Sequence, residues 1–253
     1  MNTTYAIYFS PTGSTETVVK TIANEFGNYK EIDLTQRNMN DSYTFAKEDI
    51  CIIGVPSYGG RVPAVAIERI QKFIGNDAKA VLVTTYGNRD YEDTLGELED
   101  ILCSRNFECV AAIAAVAEHS IMHQFATGRP DSKDRAQLVD FADEIIDKLE
   151  GSTFVDMVKV PGKVPYREYN GVPLKPKAGK KCKGCGLCAR KCPTGAISVD
   201  NPRKTDANMC ISCMRCVEIC PENARKVNKL LLTIASKKME KVCSERKENE
   251  LFL

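Results

Sequence analysis

Apolar and polar positions along residues 1–150 alternate between two periods. Short runs rich in apolar and β-branched residues fall near 4–9, 30–34, 49–55, 79–85 and 109–117 and are expected as strands. Between them, apolar residues recur at helical spacing over 15–26, 64–74, 93–105 and 131–150; in the first of these Val18, Val19, Ile22, Ala23 and Phe26 share one face. Gly27 and Gly75 fall just past two of the helices, where a left-handed cap favours glycine. Strands alternating with helices through short loops predict an α/β domain over 1–150, a doubly wound five-stranded parallel sheet. Ligands of such a sheet bind beyond the carboxyl ends of its strands.

Over 151–181 the periodicity fades, and Pro161, Pro165, Pro173 and Pro176 stand in a Lys-rich setting, the pattern of a linker. Its roughly 30 residues could extend to about 100 Å, so the linker alone does not fix where the next module docks. A cysteine-dense segment over 182–225 follows, expected as a small α+β domain. A basic tail over 226–253 then reads as helical, with Val227, Leu230, Leu231, Ile234 and Val242 as its apolar members.

The 253 residues are 43% apolar and 27% charged, an ordinary globular composition. The longest apolar stretch, 109–117, is too short to span a bilayer, and no secretory signal pattern follows Met1. A cytoplasmic protein with no membrane span and no nucleic-acid partner is therefore expected. Twelve cysteines in such a chain argue for metal or redox chemistry, because the cytosol keeps thiols reduced. The net charge of +1 hides an asymmetry: residues 1–150 carry 14 Lys+Arg against 24 Asp+Glu, and residues 151–253 carry 21 against 10.

Eight of the cysteines form a repeat. Cys182, Cys185, Cys188 and Cys192, the last followed by Pro193, recur 28 residues later as Cys210, Cys213, Cys216 and Cys220, followed by Pro221. Three cysteines at a spacing of three can wrap one iron–sulfur core, while the fourth, before the proline, reaches the other core of a pair. Zinc modules more often pair two short knuckles across a longer gap, and the Cys-Pro ending has no role in them. Gly184 and Gly186 let the backbone bend close to a core. Both copies of the pattern resemble those of bacterial two-cluster ferredoxins. That resemblance implies two 4Fe-4S clusters, one held by Cys182, Cys185, Cys188 and Cys220, the other by Cys210, Cys213, Cys216 and Cys192. Cys51, Cys103, Cys109 and Cys243 lie outside the repeat and are expected as buried small apolar residues.

After the first strand, Ser10-Pro11-Thr12-Gly13-Ser14-Thr15 leads into a helix. Hydroxyls and backbone N–H groups at a helix N-terminus can hold a phosphate without a lysine, though an ordinary Ser/Thr cap is the other reading of the turn alone. Neither a nucleotide-hydrolysing P-loop nor a Gly-x-Gly-x-x-Gly fingerprint is present. The turn resembles the FMN phosphate loop of flavodoxins, a family whose flavin-binding loops follow its third and fourth strands. Ser57-Tyr58-Gly59-Gly60 and Tyr86-Gly87-Asn88-Arg89-Asp90-Tyr91 stand at those places. The resemblance implies that Ser10, Thr12, Gly13, Ser14 and Thr15 hold phosphate and that Tyr58 and one later tyrosine bracket the flavin ring. Spacing selects Tyr91, with Tyr86 in reserve. Gly59 or Gly60 would supply the peptide that meets the flavin N5, and Ser57, Gly87 and Asn88 belong to the same two loops. Arg89 is atypical of simple flavodoxins. His119 and His123, the only histidines, lie in the long 118–130 stretch, where one could deliver a proton.

Together the halves resemble fused flavodoxin and two-cluster ferredoxin proteins of anaerobes. The resemblance implies an electron-transfer iron–sulfur flavoprotein that passes single electrons between two 4Fe-4S clusters and FMN, and on to a redox partner. An FMN-dependent reductase of a quinone or nitro compound, fed by the clusters, is the alternative; a redox-sensing module is weaker, since no effector domain is present. Lys175, Lys177, Lys180, Lys181, Lys183, Arg190 and Lys191 surround the first cysteine motif. They suit an acidic partner: a separate ferredoxin, a downstream reductase or the acidic half of this chain. A homodimer is left open.

Overall fold

The computed structural model describes residues 3–39, 41–151 and 156–253. The elements of the first domain run β1 (Thr4–Tyr8), α1 (Ser14–Glu25), β2 (Tyr29–Asp33), β3 (Ile50–Pro56), α2 (Ala64–Ile70), β4 (Ala78–Tyr86), α3 (Thr94–Cys103), β5 (Phe107–Val116) and α4 (Ser132–Gly151). β1 to β5 are parallel in the order β2-β1-β3-β4-β5, the flavodoxin-like winding expected from the sequence. Both faces of the sheet are covered, as a parallel sheet requires. On one face Ile7, Ile53 and Leu82 pack against Ala66 and Ile70 of α2 and Leu95, Leu98 and Leu102 of α3. On the other, Ala6, Ile52 and Val81 pack against Val18, Val19 and Ile22 of α1 and Leu138, Ala142 and Ile145 of α4.

The cysteine module contains β6 (Lys177–Ala178), α5 (Leu187–Arg190), α6 (Arg215–Glu218) and β7 (Arg225–Lys226), with β6 and β7 paired antiparallel. Its two short helices follow equivalent positions of the repeat. Ala189, Cys192, Ala196 and Ile197 form its small core.

Two expectations need correction. The described part of the 151–181 segment does not hang free. Val158 is buried in the main core with its N–H on Cys109 O, and the Asp93 carboxylate accepts the N–H groups of Lys163 and Arg167 at 3.0 and 2.8 Å. Proline and lysine content reads as linker because it lacks periodicity, yet backbone groups of a segment without periodicity can still be held by a carboxylate. The tail is also more than a helix. After α7 (Lys229–Cys243) the chain returns to the first domain, where β8 (Glu250–Phe252) pairs antiparallel with β5 as a sixth strand. Asn249 holds this return: its Oδ1 accepts the Val116 N–H at 2.8 Å, and its Nδ2 donates to Gln137 Oε1 at 2.8 Å. Of the apolar members of the tail, Leu230, Leu231, Ile234 and Val242 are exposed. The packed face is instead Leu232, Ala235, Met239 and Cys243, against Met122, Phe125 and Leu174. Consecutive leucines at 230–232 allow either stripe, and tertiary packing chose the one that carries the smaller residues. No described helix is long and apolar enough to cross a membrane.

Candidate functional site

The carboxyl ends of β1, β3 and β4 open into a cavity of about 410 Å³. Thr12, Ser14 and Thr15 line it from the β1–α1 turn, Ser57, Tyr58 and Gly59 from the loop after β3, and Tyr86, Gly87 and Arg89 from the loop after β4. The turn meets the N-terminus of α1, where unpaired backbone N–H groups and the helix dipole favour an anion. Gly59 has φ +63°, and a Cβ there would lie 2.2 Å from the Tyr169 ring, so both the backbone turn and the ring above it require glycine. Gly87 likewise leaves room for His119, whose imidazole a Cβ would meet at 2.7 Å.

Several expected residues lie outside this wall. Ser10 closes the turn from within, its Oγ accepting the Glu16 N–H at 2.9 Å and its own N–H bound to Thr35 Oγ1. Gly13 supplies the left-handed bend before α1, and a Cβ on Gly60 would strike Glu92. Asn88 donates both amide hydrogens to Cys243 O and Glu245 O at 2.7 Å, which ties the β4 loop to the tail. Tyr91, favoured by spacing, is buried beneath the loop: its hydroxyl donates to Glu250 Oε2 at 3.1 Å and its ring meets Tyr86 edge-on. Tyr86 is the tyrosine of that loop that lines the cavity. β4 runs to Tyr86, one residue past the expected strand end, and so sets that ring rather than Tyr91 at the cavity wall.

His119 lines the cavity, whereas His123 is exposed and paired with Glu118 at 2.6 Å. His119 Nδ1 accepts the Ile121 and Met122 N–H groups at 3.2 and 3.3 Å, so the ring proton of its neutral form sits on Nε2. Burial pushes its pKa down to about 4. At neutral pH His119 can therefore donate a hydrogen bond but does not carry an acidic imidazolium proton. Arg89 is paired with Glu92 through both terminal nitrogens, at 2.8 and 2.6 Å, and Arg167 shares the same carboxylate.

The rest of the wall was not legible in the sequence. Arg167, Tyr169, Val172 and Leu174 come from the segment expected as linker, Met239 from α7, and Ile211 and Ser212 from between two cysteines of the repeat.

The eight repeat cysteines line two further cavities in two crossed sets. Cys182, Cys185, Cys188 and Cys220 line one, and Cys192, Cys210, Cys213 and Cys216 line the other. The first lies outward, with Cys185 exposed; the second lies inward, with Cys192 and Cys213 buried. Burial pushes the Cys213 and Cys216 thiols up to about 12, so they become thiolates only against a compensating metal cation. Arg215, on the wall of the inner cavity, has a buried Nε with no protein partner. Such an orphan donor suits a cavity whose occupant presents acceptor sulfurs.

Ile211 lines both the inner cysteine cavity and the cavity at the strand ends, so the two are separated by a shared wall. Arginines fasten this junction through backbone carbonyls. Arg37 donates to Ala189 O at 2.6 Å, Arg69 to Pro193 O at 2.8 Å, and Arg215 to Pro11 O at 3.1 Å.

Residues 181–224 match the 4Fe-4S dicluster domain family. An uncharacterized ferredoxin of Methanocaldococcus jannaschii is 28% identical over 82 residues, 32% of this chain and 52% of that protein. This chain thus spans about half the length of the curated relative it matches. Similar solved structures include flavodoxin 2 of Bacillus cereus, at 15% identity and TM-score 0.44, covering 58% of this chain and 99% of that one. Rubredoxin oxygen:oxidoreductase of Desulfovibrio gigas follows at 14% identity and TM-score 0.40, covering 60% and 37%. The chain joins a flavodoxin-like fold to a 4Fe-4S dicluster domain.

Proposed function

We propose that this protein passes single electrons between two 4Fe-4S clusters and FMN, and on to a redox partner. The observation that carries this reading is Ile211, the shared wall between the inner cysteine cavity and the cavity at the strand ends. The outer cluster belongs to Cys182, Cys185, Cys188 and Cys220, and the inner to Cys192, Cys210, Cys213 and Cys216. Thr12 and Ser14, with the N-terminus of α1, hold the FMN phosphate; Tyr58, Tyr86 and Tyr169 supply the aromatic walls of its ring site. FMN supplies the ability to hold one or two electrons where each cluster holds one. The linker, the 118–130 loop and α7 all contribute to the cavity wall, which supports a relay over a reductase with an open substrate side.

Replacing Tyr86 by Ala is expected to weaken FMN binding about tenfold through lost stacking and burial, in fluorescence titration. Tyr91→Ala should have the smaller effect, since that ring lies outside the cavity. The reverse order would show that spacing had selected the correct ring.

The basic surface supports an external acidic partner at the outer cluster. Lys177, Lys180, Lys181, Lys183, Arg190 and Lys191 are exposed, while Lys175 is turned inward onto Cys210 O. None of the exposed six forms an ion pair with residues 1–150 among the described residues. Lys183 pairs with Glu222 in its own module. Anaerobic stopped-flow mixing with a reduced acidic ferredoxin should show cluster bleaching followed by flavin reduction, with the first phase slowing as salt rises. A first phase that salt leaves unchanged would remove the docking surface from the proposal. Flavin reduction without prior cluster bleaching would reject the relay.

A further inference from the structure

The two halves of the cysteine repeat are not equivalent at one buried position. Five residues after Cys192 stands Ile197, a core residue 2% exposed; five residues after Cys220 stands Arg225, also 2% exposed. A guanidinium thus occupies the place where the first repeat buries an aliphatic chain. Its Nε donates to Cys188 Sγ at 3.2 Å. Its Nη1 donates to Thr205 Oγ1 at 2.9 Å and its Nη2 to Pro202 O at 2.5 Å. β7 pairs with β6 at this residue, which fixes the backbone beneath it.

No carboxylate pairs with Arg225 among the described residues. A buried cation with only neutral partners carries a large desolvation cost unless an anion lies nearby. Four thiolates outweigh the charge of a 4Fe-4S core, so a loaded outer site is an anion, and more so when reduced. Arg225 lies on the wall of that outer cavity.

We propose that Arg225 is a built-in counter-ion of the outer cluster that raises its reduction potential above that of the inner one. The inference rests on the two-cluster reading above. Charge and N–H···S hydrogen bonds both stabilise the reduced, more negative core, and Arg225 brings both to Cys188. Arg215 also faces the inner cavity, but its Nη1 is held by Ser10 O and Pro11 O and its Nε reaches no cysteine sulfur, while Ile197 stands at the place equivalent to Arg225; among the described residues no guanidinium N–H bonds a sulfur of the inner set. The first electron to enter therefore rests on the outer cluster.

The test is an anaerobic redox titration followed by electron paramagnetic resonance on full-length protein with both clusters loaded. Wild type should show two separated midpoint potentials. Arg225→Met should lower the higher of them and narrow the gap; Arg225→Gln, which keeps an amide donor without the charge, should narrow it less. An unchanged gap in either variant at full iron content overturns the inference. If neither variant retains iron, Arg225→Lys decides: loading restored by the lysine supports the counter-ion, and failure in all three shows a packing role only. Wild-type protein without two clusters would instead defeat the functional reading itself.

Discussion

Cys192→Ser protein purified anaerobically is expected to hold about four irons per chain where the wild type holds about eight, with FMN content unchanged. The loss should fall on the inner cluster, although Cys192 belongs to the first copy of the repeat. The reason is spatial. Cys192 lines the cavity of Cys210, Cys213 and Cys216, while Cys220 takes the corresponding place beside Cys182, Cys185 and Cys188. With the inner site empty, reduction of the flavin by an external ferredoxin should collapse, because the cavity behind Ile211 no longer holds a carrier. Damage confined to the outer cluster, identified by its dependence on Cys182 and Cys185, would contradict the crossed arrangement. The experiment separates ligation by proximity in sequence from ligation by proximity in space.

Arg129→Leu is expected to destabilise the flavodoxin-like domain by up to about 3–5 kcal/mol in chemical denaturation near neutral pH, because it removes the bidentate cation of a buried carboxylate and leaves only the more exposed Arg246 beside it at 3.2 Å. Arg129 and Asp134 are both buried, joined by Nε to Oδ2 at 2.8 Å and by a second bond from Nη2. Asp134 also accepts the Asp131 N–H, while Asp131 accepts the Asp134 N–H, a reciprocal cap at the start of α4. Burial alone would raise the Asp134 carboxyl; Arg129 and the Asp131 N–H outweigh it and hold the group below its usual range. The Asp134 N–H and Arg246 hold Asp131 down to about 2. Both folded pKa values lie below the unfolded ones, so this stabilisation is complete above about pH 4 and is lost as pH falls toward 2. In Arg129→Leu the Asp134 carboxyl should protonate more readily. The deficit is therefore largest near neutral pH and narrows in acid, and a deficit independent of pH would point to lost packing alone.

The parallel sheet was legible because strands buried on both faces read as dense apolar runs, and the helices beside them carry one apolar stripe each. The phosphate turn and the cysteine spacing were legible because their chemistry is local: a helix start after a strand, and thiols three residues apart. What escaped was decided by distant contacts. Tyr91 and Tyr86 both stand near a glycine in the same loop, and only the tail residue Glu250, which takes the Tyr91 hydroxyl, shows which ring is turned away. Tyr169 and Arg167 carry no periodic signal and became wall residues because Asp93 holds the backbone around them. Arg225 had a signal that could have been used: aligning the two halves of the repeat sets it against Ile197, and a charged residue opposite an aliphatic one in a duplicated core calls for an anionic neighbour.

The pairing of β8 with β5 alters the meaning of the fusion. The dicluster module does not swing at the end of a tether; it is inserted into the flavodoxin-like domain, with the chain leaving after α4 and returning to the sheet along the edge of β5. A module anchored at both ends cannot shuttle between a distant donor and the flavin. Exchange across the Ile211 wall should thus proceed at fixed separation, and its rate should be insensitive to solvent viscosity, whereas encounter with an outside partner should slow as viscosity rises.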